Sequence, residues 1–189
     1  MGAILLAAGE SRRWGAANKL LAPIDGKPMV RRTAEMILAS SVRPVLVVTG
    51  HEAAEVQAAL ADLPLSFHNA DDYADGMSAS LRAGIDAVPA DCPGALICLG
   101  DMPFVRPDTL DRLAQFHAQQ AAVFPTWQGK RGNPVLLARS LFADIMLLTG
   151  DQGARALLGA IPDQVGELPV DDPDILRDVD RPDALRQTL

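Results

Sequence analysis

Positive charge is the scarcer sign in this sequence: 17 lysines and arginines stand against 24 aspartates and glutamates, a formal net charge of −7 over 189 residues. That balance excludes a polyanion-binding surface over most of the molecule, and with it a nucleic-acid partner. It leaves room for a local phosphate site, because Arg12, Arg13, Lys19 and Lys27 all fall in the first stretch of chain. Cysteine is almost missing. Cys92 and Cys98 form no CxxC motif, so two reduced thiols in or beside a strand are a plainer reading than a metal or redox role. His51, His68 and His117 are too scattered for a zinc site. Long hydrophobic runs are also lacking. No segment is long enough to span a bilayer, so no membrane partner is expected. The apolar stretch Gly2 to Ala8 has no basic region before it and does not read as a signal peptide. The expectation is a cytoplasmic protein.

What remains is ordinary globular material, 49% apolar and 22% charged. The length suits one domain with a substantial core. Short apolar runs alternate with longer amphipathic stretches. Gly2–Ala7, Arg43–Thr49, Leu65–His68, Gly94–Leu99 and Ala121–Pro125 read as strands. Pro28–Ser40, Glu52–Leu60, Ser78–Val88 and Pro107–Gln119 read as helices between them. Strand runs without polar alternation, separated by helices, indicate a parallel sheet covered on both faces, with right-handed crossovers. Such sheets bind ligands outside the carboxyl ends of their strands. After residue 125 the pattern changes. Trp127–Asn133 is polar, and Pro134–Ala138 apolar, which reads as a hairpin excursion from the sheet. Ser140–Leu147, Gly153–Leu158 and Asp183–Leu189 read as short helices.

The loop after the first strand carries the strongest signal. Leu6-Ala7-Ala8-Gly9 runs from a strand into small residues that let a ligand approach the backbone, and successive N–H groups there can cradle an anion. Arg12, Arg13 and Lys19 add positive charge, and Gly15 a second flexible point. No GKS or GKT follows, and no GxGxxG is present, so this is neither a P-loop nor a dinucleotide fingerprint. The alternative is a tight turn with solvated basic residues.

Two acidic segments are candidates for a hard divalent cation. Asp101 lies in Gly100-Asp101-Met102-Pro103, at the carboxyl end of a strand, or is simply a turn aspartate. Asp178 and Asp180 share one face if their segment is extended, or else they approach a helix that Asp180 or Asp183 caps. The loop Asn69–Met77 feeds a helix with Ser78 near its start, a place suited to polar ligand edges or to a plain cap. Gly129–Pro134 reads as a turn with solvated charge, and Asp151 as a helix cap.

The order LAAG-x-S-x-R-x-G-x-x-x-K-L resembles the signature of MobA-like nucleotidyltransferases, and the double alanine with Asn18-Lys19-Leu20-Leu21 resembles the molybdenum cofactor cytidylyltransferases among them. Guanylyltransferase relatives carry Gly-Gly at the positions of Ala8-Gly9. Two departures stand out: Trp14 occupies the usual methionine position, and the spacing before Lys19 is one residue longer. Five further motifs follow in the family's order: Asn69…Gly76-Met77…Ser80-Leu81, GDMP, Arg131-Gly132-Asn133-Pro134, Gly150-Asp151-Gln152-Gly153-Ala154-Arg155 and DVD-x-P at Asp178.

The resemblance implies a three-layer α/β sandwich with a Rossmann-like, mostly parallel sheet, of the nucleotide-diphospho-sugar transferase type. It implies one domain over 1–189, with nucleotide binding in about 1–125 and acceptor binding in about 126–189. Leu6, Ala7, Ala8 and Gly9 would meet the base and phosphates, and Arg12, Arg13 and Lys19 the triphosphate. Gly76, Ser78 and Ser80 would lie beside base and ribose. Asp101 and Asp180 would hold Mg²⁺, and Arg13, Lys19 and Asp101 would be catalytic. Arg131, Gly132, Asn133 and Arg155 would face the acceptor, the two arginines on its phosphate. The implied reaction transfers CMP from CTP to a phosphorylated pterin, molybdopterin, with a recipient molybdoenzyme as a further partner. Rivals are GTP or another acceptor with the same chemistry, and a non-catalytic chaperone for molybdoenzyme maturation.

Overall fold

The computed structural model describes residues 1–11, 14, 17–116, 120–151 and 153–180. Arg12, Arg13 and Gly15 of the glycine loop, the end of the helix expected to reach Gln119, Gln152, and the helix expected over Asp183–Leu189 lie outside the described residues.

β1 (Gly2–Ala7) leads through the glycine loop to a small hairpin, β2 (Pro23–Ile24) and β3 (Lys27–Pro28), then to α1 (Met29–Ala39). β4 (Val45–Thr49), α2 (Ala53–Leu60), β5 (Ser66–Asn69), α3 (Met77–Asp86), β6 (Gly94–Leu99), α4 (Pro107–Gln115) and β7 (Ala122–Trp127) follow. The chain continues through β8 (Lys130–Arg131), β9 (Val135–Ala138), α5 (Phe142–Ile145), α6 (Ala154–Gly159) and β10 (Val165–Pro169).

The main sheet runs β10-β7-β9-β6-β1-β4-β5, with β8 paired to β7. β1 lies inside the sheet between β6 and β4, parallel to both, with Leu5 opposite Val47 on one side and Cys98 on the other. Strand alternation splits the core in two. Ala3, Leu5, Val47 and Cys98 face Met29, Ile37, Leu60 and Leu113, on the side of α1, α2 and α4. Ile4, Leu46, Val48 and Ile97 face Leu81, Ile85, Ile145 and Leu158, on the side of α3, α5 and α6. These are the three expected layers. Both cysteines are buried, Cys98 within β6, where burial pushes its thiol pKa up to about 12. No helix among the described residues is long and apolar enough to cross a membrane.

The hairpin excursion expected after residue 125 is only partly present. Lys130–Arg131 turns back on the end of β7, but β9 then enters the sheet itself, antiparallel between β6 and β7. Its Leu136 and Leu137 have no exposed surface, so the apolar run belongs to the core. β10 closes that edge, parallel to β7.

Candidate active site

The connections out of β1 run to α1 and β4 on one side, while β6 pairs on the other. The direction of strand addition therefore changes between β1 and β6, and α/β sheets hold their ligands at the carboxyl ends of strands at such a point. A cleft of about 540 Å³ opens there. Leu6, Ala8 and Gly9 line one part of it, Leu99, Gly100 and Asp101 a second, and Tyr73, Gly76, Met77, Ser80 and Asp151 the wall across from them. Ala7 is buried at the end of β1.

The charged end is built around Lys19. Asn18 accepts from the Leu20 N–H through its side chain at 3.0 Å, fixing a short turn of helix that presents Lys19. The Lys19 ammonium donates to Asp101 Oδ2 at 2.7 Å and to Asp180 Oδ1 at 3.0 Å. Burial alone would depress its pKa; attraction and hydrogen bonding from Asp101, joined by Asp180, outweigh that and hold it above the ordinary value. Asp101 and the C-terminal segment are also tied by backbone, Val179 N–H donating to the Asp101 carbonyl at 2.9 Å. One ligating oxygen from each of Asp101, Asp178 and Asp180 lies within 4.8 Å of the others. An all-oxygen anionic set of this kind fits a hard divalent cation.

The opposite wall joins two motifs that lie far apart in sequence. Gly76 starts α3 with φ of 115°, a region that disfavours side chains, and a Cβ there would stand 2.6 Å from Asp151 Oδ1 and the Gly150 carbonyl. Ser78 N–H donates to that carbonyl at 3.2 Å. Ser78 does not cap the helix. It is buried, and its hydroxyl accepts from Arg82 at 3.4 Å, whereas Ser80 lines the cleft. Gly9 does not take a positive φ; in this loop the positive φ falls on Ser11, at 53°. A Cβ on Gly9 would meet no protein atom within 4 Å. Its smallness therefore leaves space on the cleft side.

Arg131 stands on β8, paired with Glu167 at 2.7 Å and stacked over the Phe124 ring. Gly132 abuts the Ile175 carbonyl, and Asn133 packs beside Leu99 and Met102, next to the Asp101 loop. Arg155 is exposed on α6. None of these four lines the main cleft. Arg12 and Arg13 lie outside the described residues.

The MobA-like NTP transferase domain family matches residues 3–165. The chain belongs to that family. It is therefore a nucleotidyltransferase, built to handle nucleoside triphosphates. The bifunctional protein GlmU of Kineococcus radiotolerans is 33% identical over 144 residues, which are 75% of this chain but only 27% of GlmU. The chain thus spans under a third of the length of the GlmU relatives it matches. Nicotine blue oxidoreductase of Paenarthrobacter nicotinovorans is 29% identical, over 98% of this chain and 95% of its own. The crystal structure of Rv0371c from Mycobacterium tuberculosis H37Rv superposes with TM-score 0.86 and 27% identity, covering 99% of this chain and 96% of that one. A complex of Rv0371c with manganese superposes with TM-score 0.85 and 26% identity, covering 100% and 97%.

For a MobA-like protein, the geometry brings together Leu6, Ala8, Gly9, Lys19, Gly76, Ser80, Asp101 and Asp180, draws in Asp178, and adds Tyr73 and Trp14. Asp178 completes the carboxylate set; strand alternation had already put it on one face with Asp180. Tyr73 packs against Gly50, next to Ala8, and lines the cleft, and nothing in its loop's composition announced that. Trp14 donates its indole N–H to the Asp180 carbonyl at 3.0 Å. As a departure from the signature it was visible, but its partner was not.

Proposed function

We propose that this nucleotidyltransferase transfers CMP from CTP to the phosphate of a pterin acceptor, molybdopterin in its metal-loaded form, with Mg²⁺ as the cation. The observation that carries the reading is the meeting of Lys19 with Asp101, Asp178 and Asp180 at one end of a cleft whose other wall has no basic residue among its described lining. That division orients the substrate: triphosphate toward Lys19, nucleoside toward Ala8, Gly76 and Ser80. Tyr73 and Ala8 line that end of the cleft and both pack against Gly50, which supports the smaller pyrimidine base there. Residues of about 1–125 bind the nucleotide, and those of about 126–189 face the acceptor through Gly132, Asn133, Arg131 and Arg155.

The chemistry needs no protein nucleophile. An oxygen of the acceptor's terminal phosphate forms a bond to the α-phosphorus; the bond from that phosphorus to the bridging oxygen breaks; pyrophosphate leaves with the electron pair. Lys19 and the backbone N–H groups of Ala8 and Gly9 hold the phosphates in line and offset the charge that gathers on their oxygens. A divalent cation on Asp101, Asp178 and Asp180 supplies further neutralisation of phosphate charge when bound.

Incubation with molybdopterin, Mg²⁺ and either CTP or GTP, with product mass and pyrophosphate release as readouts, tests this. A cytosine dinucleotide product is expected. A guanine product overturns the base assignment. Pyrophosphate release only with some other phosphorylated acceptor overturns the pterin. No release with any pair favours the chaperone reading.

A further inference from the structure

A side-chain hydrogen bond from Trp14 ties the glycine loop to the backbone of the acidic C-terminal segment. The Trp14 indole Nε1–H reaches the Asp180 carbonyl at 3.0 Å, across 166 positions of chain. The Trp14 ring is half-buried and packs on the α1 side of the core. Its backbone N–H donates to the Ser11 carbonyl at 2.8 Å, and the Ser11 hydroxyl accepts from the Lys19 N–H at 3.2 Å. One end of the tether is thus the turn that presents Lys19. The other end is the segment whose carboxylate meets the Lys19 ammonium.

Residues 177–180 belong to no strand or helix. Val179 N–H on the Asp101 carbonyl and the Lys19 ammonium on the Asp180 carboxylate hold this segment from two sides. A bond to the Asp180 carbonyl adds a hold on the backbone itself, whose rotation turns Asp178 and Asp180 toward Asp101 or toward solvent. We infer that Trp14 is a positioning residue for the carboxylate set, its indole N–H locking the Asp180 backbone so that both carboxylates turn toward Asp101. This rests on the proposed reading of those aspartates as cation ligands. Methionine, the residue of the family signature, has no hydrogen to donate and could not make this bond. Tryptophan does so with only two rotatable side-chain bonds to order.

Trp14→Phe keeps the ring and removes the donor. A typical net hydrogen bond corresponds to a change of about threefold to tenfold in an equilibrium. Titration with Mn²⁺ alone, followed by calorimetry, is expected to show that loss of affinity in Trp14→Phe, with the melting temperature kept. In the wild type, ¹⁵N spectra contain indole signals from Trp14 and Trp127. Substoichiometric Mn²⁺ should broaden the Trp14 signal first, with Trp127→Phe giving the assignment. Unchanged Mn²⁺ affinity in Trp14→Phe, with or without a lower melting temperature, overturns the inference. Asp180→Asn separates the two levels. If Asp180→Asn binds Mn²⁺ as the wild type does, the ligand reading itself fails. If Asp180→Asn is weakened and Trp14→Phe is not, only the role of Trp14 fails.

Discussion

The acidic stretch from Asp171 to Asp180 delivers carboxylates to two places that use them in opposite ways. Asp172 is 2% exposed, and its oxygens accept from the Arg106 N–H at 2.9 Å, the Thr109 hydroxyl at 2.8 Å and the Asp174 N–H at 3.2 Å. It satisfies the first turn of α4 and pins the C-terminal segment there. Asp178 and Asp180 instead turn toward Asp101, and the Asp180 side chain is 40% exposed. A carboxylate surrounded by donors is a structural part, because its lone pairs are spent inside the protein. Carboxylates crowded against one another store repulsion, which the Lys19 ammonium offsets in part and a cation would offset further.

Exchanging the expected phenotypes of the two places would break this comparison. Asp101→Ala should lower turnover by about 100-fold or more through loss of a cation ligand, with the circular dichroism spectrum and melting temperature near wild type. Near-normal turnover refutes the ligand assignment. Asp172→Ala should do the reverse. It strands the buried Thr109 hydroxyl and takes the acceptor from the part-buried Arg106 N–H, at a cost of about 2–4 kcal/mol. For a chain of this size the melting temperature should fall by roughly 5–15 °C, while turnover per folded molecule stays close to wild type. A catalytic defect without destabilisation would place Asp172 in the site.

The sequence could not sort these aspartates, and the reason is physical. Alternation put Asp178 and Asp180 on one face, but the same pattern suited the approach to a helix. Only a partner decides, and the partners of both pairs are remote: Asp101 for one, Thr109 for the other. The central strands were legible because β1, β4 and β6 are continuous apolar runs buried on both faces. β9 was misread because its four apolar residues carry no mark of direction, so its antiparallel place inside the sheet was invisible. β10 was missed because VGELP mixes glycine, glutamate and proline, as an edge strand permits. The glycine loop was legible by its combination of small and basic residues. The contact of Gly76 with Gly150 and Asp151 was not, because neither segment carries a trace of the other.

A finer comparison sets the Lys19 end of the cleft against its far wall. Ala8→Gly removes one methyl from the cleft lining, beside Gly50 and Tyr73. A single methyl group in a pocket is worth on the order of tenfold in discrimination. The ratio of kcat/KM for CTP over GTP should fall by about that factor, with little change in the melting temperature. No change in the ratio would locate base selection elsewhere on the wall, with Ser80 as the next residue to vary.

The smallest effect concerns pH and the Lys19 pair. The folded pKa of Lys19 is raised above 10.5 by Asp101 and Asp180, despite burial. A raised folded pKa means that the pair's contribution to stability is complete below the unfolded value, near 10.4, and is lost as pH rises through the folded one. The melting-temperature difference between wild type and Lys19→Met should therefore be flat from about pH 6 to 9 and shrink only above about 10.4. A difference that already shrinks between about pH 7 and 8 would mean that burial, not Asp101, governs the lysine. A neutral amine at that position could not offset triphosphate charge, and the orientation proposed for the nucleotide would lose its anchor.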